Sequence, residues 1–209
     1  MILHRKGEPI REHFDAIESS GCSVSLFTDW QKQRINELWI KSRMEEGQVF
    51  HATPEFYGAK LATRNMHPIA ALSAENCTEQ MGVPGPWYER LPHFRMGFTP
   101  SAGKGLQSEY FVPRQHAVEA ILPVEKLRDQ VSPSLLITEI RTIASDKLWM
   151  SPCYEQDSNH RHIQVSMPDH MIKSGEDFFY GLSLPWLRIE PEHRLALFLL
   201  YSFPSRIPV

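Results

Sequence analysis

The stretch "LLITEIRTI", residues 135–143, constrains the chain more than any other. Its density of branched apolar side chains calls for a β-strand buried on at least one side. Yet it carries a carboxylate, Glu139, and a guanidinium, Arg141, two positions apart. Successive side chains on a strand alternate between faces, so Glu139 and Arg141 point the same way, in line with Leu135 and Ile137. A buried charge is costly unless it is paired. A carboxylate beside a guanidinium meets that condition and still has hydrogen-bonding capacity to offer a polar ligand. Read as a bare motif, such a pair more often serves solvation and strand register.

The surrounding periodicity supplies the other elements. Pro9, followed by Ile10, Phe14 and Ile17 at helical spacing and then Gly21, predicts a short amphipathic helix that packs on a sheet. "CSVSLFT" and "INELWIKS" predict two strands forming a hairpin through "DWQKQR". From Met44 to Pro92 periodicity fades into a long loop ending in "GVPGPWYERLP", with its aromatics anchoring it to the core. "HFRMGF" and "LQSEYFV" predict two more strands, and a helix from Pro113 to Val131 should kink at Pro123. The order predicts an α+β domain with a mainly antiparallel sheet and helices on one face.

Composition narrows the function classes. In 209 residues the formal net charge is -3, which gives no general attraction to nucleic acid. Three cysteines without C-x-x-C spacing indicate neither a zinc site nor a disulfide framework, and a reducing, cytoplasmic setting fits. His160 and His162 have the spacing of two ligands on one strand face, but no third ligand accompanies them, so no metal is expected. The apolar run "LALFLLYSF" is well short of the ~20 residues of a membrane span. Cys77 reads as a packed neutral thiol and Asp29 as the cap of the turn after its strand. No G-x-S-x-G, P-loop or kinase-type pattern is present, and "GKG" at 103–105 precedes a strand instead of opening a helix.

The segments "FDAIESSGCSVSLFTDW", "SAENCTEQMGVPGPWYERLPHFRMGFTPSAGKGLQSEYFVPRQHAVEAI" and "EIRTIASDKLWMSPCYEQDS" resemble the C-terminal half of the flavin-dependent alditol, or xylitol, oxidases. That group lies within the D-arabinono-1,4-lactone oxidase family of vanillyl-alcohol-oxidase-type FAD proteins. The resemblance covers about Phe14 to Ser158. It implies a substrate-binding cap domain over residues 1–158 and a divergent tail over 159–209, with no counterpart in this chain of the half that binds FAD. It further implies oxidation of a polyol or sugar lactone at a CH–OH group, with O2 reduced to hydrogen peroxide.

Carried over residue by residue, the family's Glu and Arg of the "EIRT" strand fall on Glu139 and Arg141, as catalytic and substrate-binding groups. The histidine of the family's "HFTW" strand falls on His162, as a substrate contact. Gln164 stands where that pattern has threonine, and no "HWGK"-like segment is found. Three readings follow: a fragment of an FAD-dependent oxidase, a half-enzyme paired with a separately encoded FAD-binding domain, or an inactive remnant that binds polyols. Some lactone-oxidising relatives attach peripherally to membranes, which leaves that association open alongside a cytoplasmic setting.

Overall fold

The computed structural model describes residues 2–3, 8–31, 35–45, 48, 51–98, 106–151, 153–154 and 162–169. The first helix, α1 (Glu8–Glu18), follows a two-residue strand, β1 (Ile2–Leu3). Phe14 and Ile17, on its inner side, are buried. The chain then turns at Gly21, where a Cβ would lie 2.7 Å from both Ile40 Cγ2 and the Lys41 carbonyl oxygen. Only glycine allows that approach without movement of the neighbouring strand.

β2 (Ser23–Thr28) and β3 (Glu37–Lys41) form the antiparallel hairpin expected from their alternating pattern. Asp29 caps the turn as expected, its Oδ1 accepting from the Gln31 N–H at 2.8 Å. Trp30, at φ 58°, is held there by its indole N–H, which donates to Thr138 Oγ1 at 2.8 Å. The region read as one long loop contains more structure. β4 (Glu55–Phe56) and β5 (Ala59–Lys60) make a tight hairpin around Tyr57 and Gly58, both with positive φ, and pair with β1 in a small three-stranded sheet. A short helix, α2 (Trp87–Arg90), follows.

"HFRMGF" is not a strand. Residues 93–98 make a single isolated antiparallel bridge, Phe94 with Cys77, before the chain turns where the Phe98 N–H bonds the Arg95 carbonyl. β6 (Leu106–Pro113) is the strand expected there, and α3 (Ala117–Lys126) follows a 3₁₀ turn over Arg114–His116. Pro123 lies inside α3, and the helical run is interrupted four residues on. There the Leu127 N–H reaches both the Pro123 and Val124 carbonyls and α4 (Arg128–Val131) starts afresh.

β7 (Thr138–Ile143) and β8 (His162–Asp169) complete a five-stranded antiparallel sheet in the order β3-β2-β7-β8-β6. Because β8 is antiparallel to both neighbours, β6 and β7 run parallel, with α3 and α4 as the crossover between them. The strand that separates them lies beyond position 158, so the sheet draws on both stretches distinguished in the sequence.

Val24, Leu26, Leu38 and Ile140 pack with Phe14, Ile17, Ala117 and Ile121 into the main core between the sheet and the helices. Phe27, Trp39 and Cys77 form a smaller cluster on the opposite face, against which Ile137, Phe94 and Ala74 of a 3₁₀ turn over Ala74–Asn76 pack. The α+β reading with helices on one face therefore holds. Leu135 is a correction to the shared-face expectation. A 3₁₀ turn over Ser132–Ser134 precedes it, the strand begins only at Thr138, and Leu135 packs into the helix-side core. Ile137 does pack on the face of Glu139, against Phe27 and Trp39. Among the described residues no helix is long and apolar enough to cross a membrane.

Candidate functional site

Strand alternation on β7 separates two kinds of residue. Thr138 and Ile140 are buried toward the helices, whereas Glu139 and Arg141 fall on the other face. Register then assembles their neighbours. Glu139 stands opposite Phe27 and Arg141 opposite Ser25 on β2, while on the far side Ser166 and Gln164 of β8 occupy the matching positions. Directly opposed residues in an antiparallel pair share a face. His162 holds the next such position, opposite Ile143, and its side chain lies outside what is described.

Glu139 is the most heavily tied group of this face. Its Oε1 accepts from Ser25 Oγ at 2.8 Å and from His93 Nε2 at 2.8 Å, with Arg141 Nη1 at 3.8 Å. Among the described residues its Oε2 accepts no hydrogen bond. Burial pushes the Glu139 carboxyl up, but His93, Arg141 and the Ser25 hydroxyl more than offset this and hold it below the usual carboxylate range. The group is therefore an anion at neutral pH although its side chain is only 17% exposed. Arg141 is 39% exposed at its side chain, so its guanidinium reaches the edge of solvent while facing the sunken carboxylate.

His93 was missed by the sequence reading, which placed it in a strand. It packs edge-on against both Phe27 and Trp39, with ring centroids at 5.6 and 5.2 Å, and those two rings also meet edge-on at 5.3 Å. On its far side Nδ1 lies 2.9 Å from Lys41 Nζ, and Lys41 also donates to the Leu91 and Pro92 carbonyls. Burial pulls the Lys41 ammonium down to about 8, with Glu139 raising it and Arg141 lowering it further. The lysine is therefore mainly charged at neutral pH. The only sequence signal for this assembly was the alternation that puts Ser25 and Lys41 on the same sheet face as Glu139.

Other singled-out residues divide. Cys77 is buried, and burial pushes its thiol up, as expected of a packed cysteine. Trp87 and Tyr88 do not anchor the loop: they are 73% and 50% exposed and pack edge-on against each other at 5.8 Å. The polar ends of α2 explain why, because Arg90 holds the loop instead, its Nε and Nη2 bonding the Val83 and Pro84 carbonyls. Among the described residues no group of three or more His, Cys, Asp or Glu is gathered as a metal site would require.

The flavin implied by the resemblance does not fit the described residues. A dinucleotide cradle needs a glycine-rich turn opening onto a helix N-terminus. Gly103 and Gly105 lie outside the described residues and lead into β6, and the turn at Gly85 is filled by the Arg90 guanidinium. The face around Glu139 and Arg141 sets an anionic acceptor and a cationic donor side by side, on the same sheet face as the paired rings of Phe27 and Trp39.

No family model matches the chain. It is similar to alditol oxidase from Streptomyces sp. (strain IKD472 / FERM P-14339), 46% identical over 149 residues. The match covers 71% of this chain and 35% of that protein, so the chain corresponds to about a third of its relative's length.

Proposed function

We propose, from the premise that this chain is kin to the alditol-oxidase-type flavoproteins over 71% of its length, that it is the polyol-holding portion of an FAD-dependent oxidase. Its substrate class is a polyol or a sugar lactone oxidised at a CH–OH group, with O2 as the final electron acceptor. The flavin, when bound, supplies the hydride acceptor. Glu139 and Arg141 act on the substrate.

The observation that carries the reading is the sunken, ionised Glu139 beside the half-exposed Arg141 on the sheet face away from the helices. Oxidation of an alcohol builds negative charge on the hydroxyl oxygen as its proton departs. A guanidinium, always protonated, stabilises that charge, and a carboxylate with one oxygen available accepts the hydroxyl hydrogen bond. His162 adds a third contact, its position on β8 lying one step along the shared face from Gln164 opposite Arg141.

The test is a titration of the purified chain with xylitol, followed by ¹H–¹⁵N spectra. Saturable shifts around β7 are expected, and Arg141→Ala should weaken the affinity at least about 10-fold, roughly the 1.4 kcal/mol of a good charge-assisted hydrogen bond. Equal affinity in the variant removes Arg141 from the site. Binding without any flavin absorbance in the purified protein favours the polyol-binding module over the complete oxidase.

A further inference from the structure

The polar groups behind Glu139 form a chain that the substrate reading alone does not use. With its ammonium lowered only to about 8, Lys41 is mainly charged at neutral pH and then has no lone pair, so in its 2.9 Å contact with His93 the ring Nδ1 accepts. With Nδ1 accepting, the ring proton resides on Nε2, the atom 2.8 Å from Glu139 Oε1. Lys41 itself is fixed by the Leu91 and Pro92 carbonyls, which immediately precede His93. The histidine also packs edge-on against both Phe27 and Trp39, which touch each other, so the three rings form one cluster beside the carboxylate. Backbone, lysine and ring thus lead in one direction to Glu139 Oε1, while the ring Nε2 also lies 3.4 Å from Ser25 Oγ.

We infer that Lys41 and His93 are positioning residues: through the Nε2–H tautomer they immobilise Oε1 of Glu139 and turn Oε2 toward the polyol hydroxyl. The inference rests on the polyol-site reading for the identity of the ligand, but not for the tautomer. Ser25 completes the grip by donating to the same oxygen at 2.8 Å. A carboxylate held by two donors on one oxygen cannot rotate to share its charge with Arg141 bidentately, in keeping with the 3.8 Å separation of that pair. Glu139 remains the neighbour of Arg141 on the shared face.

Two measurements on the full 209-residue chain test this. Long-range ¹H–¹⁵N correlation spectra at pH 7 report the His93 ring directly, and should show a single Nε2–H tautomer; an Nδ1–H ring, an imidazolium or an averaging pair of tautomers overturns the inference. In Lys41→Met the tautomer preference should be lost, and an unchanged ring spectrum removes Lys41 from the device. The second measurement is xylitol affinity in variants whose circular dichroism shows them folded. His93→Leu should bind about 10-fold more weakly. His93→Gln, whose amide N–H₂ occupies the place of Nε2, should recover to within about 3-fold. A purely structural role predicts equal losses for Leu and Gln, and that result overturns the inference. If the unaltered chain binds no xylitol, the polyol reading fails by itself, and the ring spectra still decide whether His93 holds Glu139 as inferred.

Discussion

The two faces of the five-stranded sheet are built from the same strands and put to different uses. Toward the helices, Val24, Leu26, Leu38 and Ile140 meet Phe14, Ile17 and Ile121, and nearly every contact is apolar. Toward the loops, the alternate residues of those strands are Ser25, Phe27, Trp39, Lys41, Glu139 and Arg141. One face contributes the burial that folds the chain, and the other spends its positions on directed polar bonds whose net worth is small. A two-residue period is enough to separate stability from recognition along a single strand.

The comparison breaks most readily at Ile140, 1% exposed in the helix-side core. Ile140→Ala should cost about 4 kcal/mol in urea denaturation, from lost burial plus a cavity. A loss below about 1 kcal/mol would show that this face does not carry the stability assigned to it.

Glu18 is the exception on the helix side and gives the next largest effect. Its carboxyl is 1% exposed, and neither oxygen has a partner in bonding geometry among the described residues, although Thr142 stands close by. Burial pushes it up to about 8 from 4.5, with the charge of Arg114 and the nearby Thr142 acting the other way. Between these values the unfolded chain releases the proton and the folded chain keeps it, so stability falls as pH rises through that window. Glu37, which burial also raises, adds to the same slope. Glu18→Gln should flatten the decline and leave the variant about 3 kcal/mol better off at pH 8, relative to wild type, than it is at pH 5. Urea denaturation at both pH values checks this; parallel curves would mean the group is already ionised in the folded protein.

Local signals made half of this arrangement legible. The hairpin of β2 and β3, the helix α1 and the shared face of Glu139 and Arg141 all follow from periodicities within a few residues. The partners of Glu139 do not. Ser25 comes from 114 residues away and His93 from 46, and the second depends on how a loop without periodicity lays one ring against the pair Phe27 and Trp39. Leu135 was misplaced for a related reason, since alternation holds only while the backbone is extended and the 3₁₀ turn ends just before it. Aromatics flanked by prolines, Trp87 and Tyr88, point to anchors for the loop, but the loop is secured by the hydrogen bonds of Arg90.

The smallest effect on stability is expected where the effect on binding is large. Arg141 makes a 3.8 Å contact with Glu139 from a side chain that is 39% exposed. An ion pair of that geometry, half in water, contributes little to folding. Arg141→Ala should therefore shift the urea-derived stability by less than about 0.5 kcal/mol while xylitol binding falls. The pairing of those two results matters more than either one. If the variant loses stability as heavily as Ile140→Ala does, the guanidinium belongs to the scaffold, and the division of labour between the faces does not extend to the residue closest to solvent. If stability holds and binding falls, the open face can be altered without unfolding the sheet beneath it, because the apolar residues at alternate positions of the same strand carry the fold.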